Sequence, residues 1–270
     1  MIRDITLGQF VPSKSILHRM DARVKIVLLI AFIVFVFCAF NFASLGLIVI
    51  SVAAIILMSG ISPLMYFRSL KVIIAVVVFT SVLNLFYGTG EPLVQWGFFK
   101  ITMDGISRAV FVTVRIICLV LLSSCLTFTT RPTDLTDALE RLMKPLKLFR
   151  IKVHEIAMMM TIALRFVPTL LEETDKIMAA QKARGADMES GGLLKKIKAL
   201  VPVLIPLFVS AFRRAYELAM AMECRCYRGG DGRTRMKVLR MRALDYIALL
   251  LSALILAGII LLNIFVPAFI

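Results

Sequence analysis

The sequence predicts an all-α membrane protein with about five transmembrane helices and a region of long amphipathic cytoplasmic helices. Of its 270 residues, 60% are hydrophobic and only 18% are charged, whereas an ordinary soluble domain is about half apolar and a quarter charged. The net charge is +15, and the basic residues are mostly absent from the apolar runs and concentrated between them. That distribution favours a membrane protein over a nucleic-acid-binding protein, for which a strongly basic chain is otherwise typical.

Five apolar stretches are predicted to cross the membrane, because a helix needs roughly 17–25 residues to cross about 30 Å of hydrocarbon. The second stretch is short but carries no charge. No small-residue cleavage site follows the first stretch, which is therefore not predicted to be a signal peptide. The predicted spans are residues 24–40, 43–58, 70–87, 106–128 and 244–266. The predicted division is an N-terminal segment with four transmembrane helices (1–130), a cytoplasmic region (131–242) and a final transmembrane helix (243–270).

The distribution of lysine and arginine predicts a cytoplasmic N-terminus and an outside C-terminus. The N-terminal segment carries Lys14 and Arg19, and the loop with Arg68 and Lys71 is also predicted to be cytoplasmic. The stretch 88–105 has a single lysine and is predicted to be an outside loop, whereas residues 131–242 hold 22 Lys/Arg against 12 Asp/Glu and are predicted to be cytoplasmic. The predicted location is the cell membrane, which the chain crosses several times.

One basic residue, Arg115, lies deep in a predicted span. It lies about 15 Å further along the helix axis than Gly105, so its side chain is expected to face protein or water rather than lipid. A structural role, bonding to carbonyls or hydroxyls of neighbouring helices, is favoured over contact with a substrate. No Asp or Glu lies deep in any span, which disfavours an ion-coupled carrier. A stand-alone channel or carrier remains the alternative from another functional class.

Two long amphipathic helices are predicted in the cytoplasmic region. In the first, at 153–184, apolar residues recur every three or four positions opposite a face that includes Glu173. The second, at 193–227, contains an apolar run at 199–212 that is too short to cross a bilayer. Proline and glycine interrupt these helices and are candidate hinges. The candidates are Pro168, Gly191, Gly192, Pro202 and Pro206.

Each of these helices ends in an arginine flanked by small residues, Ala183-Arg184-Gly185 and Cys224-Arg225-Cys226. The helix dipole favours a cation at any C-terminus, which would explain either arginine alone. Two similar triads, 41 positions apart, instead predict two docking sites. Small neighbours leave the guanidinium free to form forked hydrogen bonds to the carboxylates or carbonyls of a partner.

The sequence lacks the residues of an ATPase or a metal-dependent hydrolase. It contains no Gly-Lys dipeptide, so the phosphate-binding P-loop is absent. His154-Glu155 opens like a zinc-protease motif, but Met158 occupies the position of the second histidine. The five cysteines suggest neither a disulfide framework nor a zinc site. We therefore predict that the chain is not an enzyme and holds no metal or cofactor of its own.

Four stretches carry a resemblance to a known family. They are GQFVPSKSILHRMDARVK, TTRPTDLTDALERLMKPLK, ALRFVPTLLEETDKIMAAQKARGAD and LIPLFVSAFRRAYELAMAMECRCYRGGDGRTR. Together they resemble the transmembrane T component, the coupling subunit, of energy-coupling-factor (ECF) importers of vitamins; the last two are the more specific. The resemblance implies that Arg184 and Arg225 each dock on one of two ATP-binding cassette ATPases, which hold ATP and Mg. Cys224 and Cys226 stand where that family usually has Ala and Gly.

The resemblance also implies a small substrate-binding membrane (S) subunit as a partner, either one dedicated subunit or several that exchange. The expected function is a coupling scaffold in the bilayer, which transmits ATP-driven motion from the ATPases to the S subunit during uptake of a vitamin or other micronutrient. A T component dedicated to cobalt or nickel uptake, with the same fold, is the nearer alternative.

Overall fold

The computed structural model describes residues 10–86, 92–96, 99–186, 192–230 and 241–266. Nearly all of them are helical. The helices are α1 (Ile16–Arg19), α2 (Ala22–Cys38), α3 (Phe42–Ser59), α4 (Pro63–Phe86), α5 (Met103–Thr129), α6 (Pro132–Leu142), α7 (Val153–Ala183), α8 (Leu193–Cys224) and α9 (Ala243–Phe265), with a 3-10 helix at Lys144–Phe149. The predicted all-α class is confirmed.

A short β-hairpin is the exception that the sequence analysis did not anticipate. Strands β1 (Pro92–Trp96) and β2 (Phe99–Thr102) pair antiparallel between α4 and α5. The hairpin lies in the stretch predicted to be an outside loop. It leads directly into α5, whose N-cap is Thr102, since the Thr102 hydroxyl accepts a hydrogen bond from the Gly105 N–H.

Within the described residues, five helices are long and apolar enough to cross a membrane: α3, α4, α5, α7 and α9. Four of them match predicted spans. The fifth, α7, has the lowest mean hydropathy of the set, 1.3 against 2.2 or more, and its second half carries the charged residues that favoured a cytoplasmic location. The remaining predicted span corresponds to α2, which has 17 residues and so lies at the lower limit for crossing the hydrocarbon core.

Helix α4 begins earlier than the sequence analysis predicted. Arg68 and Lys71 are helical and exposed, and do not lie in a loop before the third span. Pro63 occupies the first helical position, where its missing N–H costs nothing and its fixed φ suits a helix. The long side chains of Arg68 and Lys71 allow their charges to reach the polar boundary from within the helix.

The described chain divides into two compact units. The membrane unit comprises the described parts of residues 8–138 and 237–270, and the coupling-helix unit comprises those of residues 139–236. The predicted division at residues 130 and 242 stays a prediction.

In the membrane unit, α5 is the helix that the others surround, since α2, α3 and α4 all pack against it and α9 packs against α2 and α3. Phe111 and Ile48, from α5 and α3, are fully buried in the core between these helices. A second cluster joins the α3–α4 corner to α5, where Tyr66 stacks edge-on against Phe128 and donates a hydrogen bond to the Ser59 hydroxyl. Outward-facing side chains are largely apolar, as expected for helices surrounded by lipid.

Candidate functional site

The first predicted docking residue, Arg184, lies at the exact end of α7, where it is the C-cap. The Ala186 N–H donates to the Gln181 carbonyl and the Gly185 N–H to the Lys182 carbonyl, both at 3.0 Å. This pair of bonds is a Schellman motif, which satisfies the last free carbonyls of a helix. The motif needs a left-handed residue after the C-cap, and Gly185 supplies it with φ of 87°.

The second predicted docking residue, Arg225, ends α8 in the same way. The Tyr227 N–H donates to the Met222 carbonyl at 3.0 Å, and the Cys226 N–H donates to the Glu223 carbonyl at 2.8 Å. Cys226 takes the position that Gly185 holds in the first motif, with φ of 54°. A left-handed conformation crowds the Cβ of an L-residue. This end of α8 therefore has the same geometry as the glycine motif, but its backbone conformation is less favourable in free energy.

The two arginines are therefore presented by equivalent backbone geometry. The triads Ala183-Arg184-Gly185 and Cys224-Arg225-Cys226 are both solvent-exposed along their whole length. Each guanidinium is carried by a C-cap whose backbone is fixed by two hydrogen bonds. The residues on either side of each arginine are small, so they do not cover its guanidinium.

Helices α7 and α8 pack together in antiparallel directions. Gln181 of α7 bonds to Pro202 of α8, and Glu173 bonds to Ser210, so residue numbers fall along one helix as they rise along the other. From the Glu173–Ser210 contact, Arg184 lies roughly 16 Å in one direction and Arg225 roughly 22 Å in the other, at 1.5 Å per residue. The two predicted docking residues thus lie at opposite ends of the helix pair.

Near the Arg184 end, Gln181 bridges the two helices. Its side-chain Nε2 donates to the Pro202 carbonyl at 3.3 Å. In a regular helix the residue at position 206 would donate its N–H to the Pro202 carbonyl, but Pro206 has no N–H. Gln181 supplies this missing hydrogen bond from α7. The main-chain carbonyl of the same glutamine is an acceptor in the Schellman motif. Gln181 therefore links the C-terminal end of α7 to the proline-containing segment of α8.

Midway along the pair, Glu173 of α7 accepts hydrogen bonds from the Ser210 hydroxyl and from Arg214 Nη2 of α8, the latter at 3.0 Å. The sequence analysis placed Glu173 on the face opposite the apolar stripe, which is wrong. It lies beside the stripe, on the side of α7 that contacts Ser210 and Arg214 of α8. The Ser210 hydroxyl, and then the Arg214 charge, hold the pKa of this carboxyl below its usual range.

Near the Arg225 end, the segment after α8 rests on the first turn of α7. A Cβ added to Gly230 would overlap the His154 ring and lie 2.8 Å from His154 Cβ, so only glycine fits. The His154 ring is held by Glu140 of α6, with Nδ1 and Oε1 2.9 Å apart. Glu140 is buried. Through these contacts the chain that follows the α8 Schellman motif packs against α7 and α6.

The candidate hinges lie in different places. Pro168 lies inside α7, and Pro202 and Pro206 lie inside α8, where each removes one backbone hydrogen bond. Gly192 is the N-cap of α8, and Gly191 lies outside the described residues. Whether any of these positions bends during function stays a prediction.

Arg115 belongs to the membrane unit and not to the coupling helices. Its Nη2 donates to the Ala39 carbonyl at the end of α2, at 3.0 Å, and its guanidinium stacks on the Phe111 and Phe37 rings at 4.9 and 5.6 Å. These contacts join α5 to the end of α2. They are of the structural kind that the sequence analysis favoured, with a backbone carbonyl of a neighbouring helix as the acceptor.

The contacts of four of these residues were not predicted from the sequence: Gln181, His154, Glu140 and Gly230. The spacing of Gln181 and Pro206 gives no local signal, because the bond crosses between helices. Cys224 and Cys226 are free thiols, and no group of three His, Cys, Asp or Glu residues suited to a metal occurs in the described part of the chain.

Comparison with known proteins bears on this geometry. The family described as "CbiQ: Cobalt transport protein" matches residues 13–237. The chain is 51% identical to the "Energy-coupling factor transporter transmembrane protein EcfT" of Clostridium kluyveri and 50% identical to that of Ruminiclostridium cellulolyticum, with 92% of each chain covered. The chain belongs to the EcfT family. The Bacillus subtilis member is 43% identical over 88% of this chain and 91% of its own.

Membership of the EcfT family confirms the resemblance found in the sequence. The chain is the transmembrane T component of an ECF transporter, a non-catalytic, multi-pass membrane subunit. The matched region, residues 13–237, includes both Schellman motifs and the whole described α7–α8 pair. The relatives are named for the energy-coupling factor transporter, whereas the broader family description is of cobalt transport.

Proposed function

We propose that this T component couples two ATPase subunits to a substrate-binding membrane subunit through the α7–α8 pair. The observation that carries the proposal is the duplication of one device, an exposed arginine on a Schellman motif, at opposite ends of two helices that brace each other. A pair of ATPases that move relative to one another would need two such contacts. ATP and Mg act on the ATPases and not on this chain.

Each arginine is suited to enter a groove on one ATPase. A planar guanidinium forms two parallel hydrogen bonds to a carboxylate or to a pair of carbonyls, and the fixed C-cap limits the conformational entropy lost on docking. Because the two ends are connected through Gln181, Glu173 and their partners on α8, displacement of one end is transmitted along the pair. The prolines in both helices are the candidate positions at which the pair bends.

The S subunit is proposed to bind the apolar surface of the coupling helices. Phe208, Phe212 and Tyr216 of α8 are each at least 60% exposed, and Met159 of α7 is 58% exposed. Large apolar side chains exposed along one helix are typical of an interaction surface. Methionine adapts to differently shaped partners, which favours several exchanging S subunits for vitamins over one dedicated to cobalt or nickel.

The membrane orientation is proposed from charge. Lys14 and Arg19 precede the first span, and the coupling-helix region is the most basic part of the chain. The positive-inside rule then places the N-terminus and both docking arginines in the cytoplasm and the C-terminus outside. That orientation puts Arg184 and Arg225 on the side where ATPases and ATP are found.

The experiment replaces both docking arginines. Arg184→Ala with Arg225→Ala should abolish ATPase recovery on affinity purification and ATP-driven vitamin uptake, while membrane insertion stays normal. The matched control is Arg165→Ala with Arg213→Ala, which removes the same charge from exposed arginines that are not C-caps. Normal assembly and uptake in the Arg184/Arg225 variant, or an equal loss in the control, contradicts the proposal.

A second measurement separates the shared from the dedicated scaffold. The tagged T component is purified from membranes, and the small membrane proteins that accompany it are identified by mass spectrometry. Several different S subunits support the vitamin-type shared scaffold. A single metal-linked S subunit supports the cobalt or nickel alternative.

A further inference from the structure

A large basic cavity opens in the membrane unit at one end of the helices. Its volume is about 870 Å³, and it lies where α2 begins, α5 ends and α9 begins. Five basic residues line it: Lys14, Arg19, Lys25, Arg131 and Arg242. Asp21 and Asp134 are the acidic residues in its lining. Neither Arg184 nor Arg225 is part of its lining.

The acidic residues cancel only part of the positive charge of this cavity, because its lining holds two aspartates against five lysines and arginines. Asp21 is buried and is bound by Arg23, whose Nε and Nη2 donate to both carboxylate oxygens. Arg23 is not part of the lining, so the negative charge of Asp21 is neutralised by an arginine outside the cavity. Lys14, Arg19 and Arg242 are exposed at the mouth. The cavity therefore presents a surplus of cations to any ligand that enters it.

A second cavity continues from the first into the apolar interior of the membrane unit. It has a volume of about 320 Å³ and lies between α2, α3, α5 and α9. The two cavities share Met20, Lys25 and Thr129 in their linings. Lys25 marks the boundary, because its Nζ donates to the Thr129 carbonyl at 2.9 Å and to the Thr130 hydroxyl at 3.3 Å. Beyond it the lining is almost entirely aliphatic and aromatic.

The depth of the apolar cavity matches one leaflet of a bilayer. Along α9 its lining extends from Leu244 to Ile255, which corresponds to about 16 Å at the helical rise. Half of the hydrocarbon core of a typical bilayer is about 15 Å. The basic mouth then lies at the level of the lipid headgroups, and the apolar cavity at the level of the acyl chains.

We propose that this composite site binds one anionic glycerophospholipid, with its phosphate among Lys14, Arg19 and Arg242 and an acyl chain in the cavity between α2, α3, α5 and α9. Lysine and arginine are the residues that recognise phosphate, and basic pockets between transmembrane helices bind anionic headgroups. A zwitterionic lipid fits less well, because its headgroup cation would meet the same surplus of positive charge. The lipid would connect the N-terminal segment, α5 and α9 through one ligand.

The test measures lipid retained by the full chain, purified in detergent and examined by native mass spectrometry. The probes are phosphatidylglycerol and phosphatidylcholine with identical acyl chains. The triple variant Lys14→Gln, Arg19→Gln, Arg242→Gln should weaken phosphatidylglycerol retention about 100-fold, because each basic residue contributes roughly a fivefold preference for an anionic lipid. Lys144→Gln, Lys147→Gln, Lys152→Gln is the matched control, which removes the same charge from an exposed segment of the coupling-helix unit.

A second pair of variants tests the acyl-chain half of the site. Ala248→Phe fills the apolar cavity and should lower retention of phosphatidylglycerol with no change in charge. Ala253→Phe places the same bulk on an exposed position of α9 outside the lining and should leave retention unchanged. Both variants are compared with wild type for thermal stability, so that a misfolded protein is recognised.

The outcomes are distinct. Loss in the triple variant and in Ala248→Phe, but not in their controls, supports the lipid site. Equal loss in both charge variants overturns it in favour of a diffuse surface effect. Displacement of phosphatidylglycerol by inorganic phosphate, with no effect of Ala248→Phe, overturns it in favour of a site for a free anion. Equal retention of phosphatidylcholine also overturns it. None of these results bears on ATPase docking, which the Arg184/Arg225 experiment tests separately.

Discussion

The two helix ends can be tested against each other through the residue that follows each docking arginine. In Gly185→Ala the new Cβ would have no heavy atom within 4 Å, so the variant changes only backbone preference at a φ of 87°. A left-handed conformation costs an L-residue about 1–2 kcal/mol, while alanine recovers roughly 0.5–1 kcal/mol of chain entropy lost by glycine. The net destabilisation of the α7 end should be about 1 kcal/mol.

At the α8 end the same reasoning predicts a gain in stability rather than a loss. Cys226 already adopts φ of 54°, so Cys226→Gly removes the strain and should stabilise that end by about 1 kcal/mol at most, reduced by the flexibility of glycine. The natural sequence would then have one relaxed and one strained docking motif.

Amide hydrogen exchange measures both effects locally. The reporters are the Ala186 N–H, bonded to the Gln181 carbonyl, and the Tyr227 N–H, bonded to the Met222 carbonyl. A change of about 1 kcal/mol corresponds to about a fivefold change in exchange rate. Ala186 should exchange faster in Gly185→Ala, and Tyr227 more slowly in Cys226→Gly.

A matched control distinguishes backbone conformation from the substitution itself. Gly46→Ala in α3 also adds a Cβ with nothing within 4 Å, but at a helical position where alanine is favoured. It should not speed exchange in α3. Unchanged exchange at Ala186 in Gly185→Ala, or faster exchange at Tyr227 in Cys226→Gly, would refute the claim that these ends are Schellman motifs of matching geometry.

Two further predictions concern buried contacts. Gly230→Ala should destabilise the coupling-helix unit by about 1–3 kcal/mol, the usual cost of overpacking, because the new Cβ would overlap the His154 ring. Thermal unfolding measures this loss of stability, and adding His154→Ala to the same chain should recover part of it. Lys25→Met should cost about 1–3 kcal/mol by leaving the Thr129 carbonyl without its donor, seen as a lower melting temperature in detergent. Lys71→Met, at an exposed position outside the proposed lipid site, should not lower the melting temperature. Equal effects of the two lysine variants would show that the burial of Lys25 is unimportant.

Much of the architecture was predictable because it follows from local composition. Membrane helices are apolar over a fixed length, and α3, α5 and α9 begin and end within three residues of the predicted spans. Helix α4 was placed too late, because Arg68 and Lys71 were assigned to a loop although long basic side chains are tolerated near a helix end. The β-hairpin was missed because a two-stranded pair leaves only a weak pattern in a short sequence.

The docking ends divide in the same way. By itself, the sequence determined that two long helices end in arginine between small residues, because glycine, arginine and the apolar repeat are local signals. Only the tertiary structure decided that Glu173 faces α8 and that Gln181 donates to the Pro202 carbonyl, to which Pro206 has no N–H to donate. The left-handed conformation of Cys226 is local, but no glycine marks it in the sequence, so it too came from the structure. The two contacts between α7 and α8 join residues 21 to 41 positions apart, and such pairing depends on how the helices pack, which no local pattern specifies.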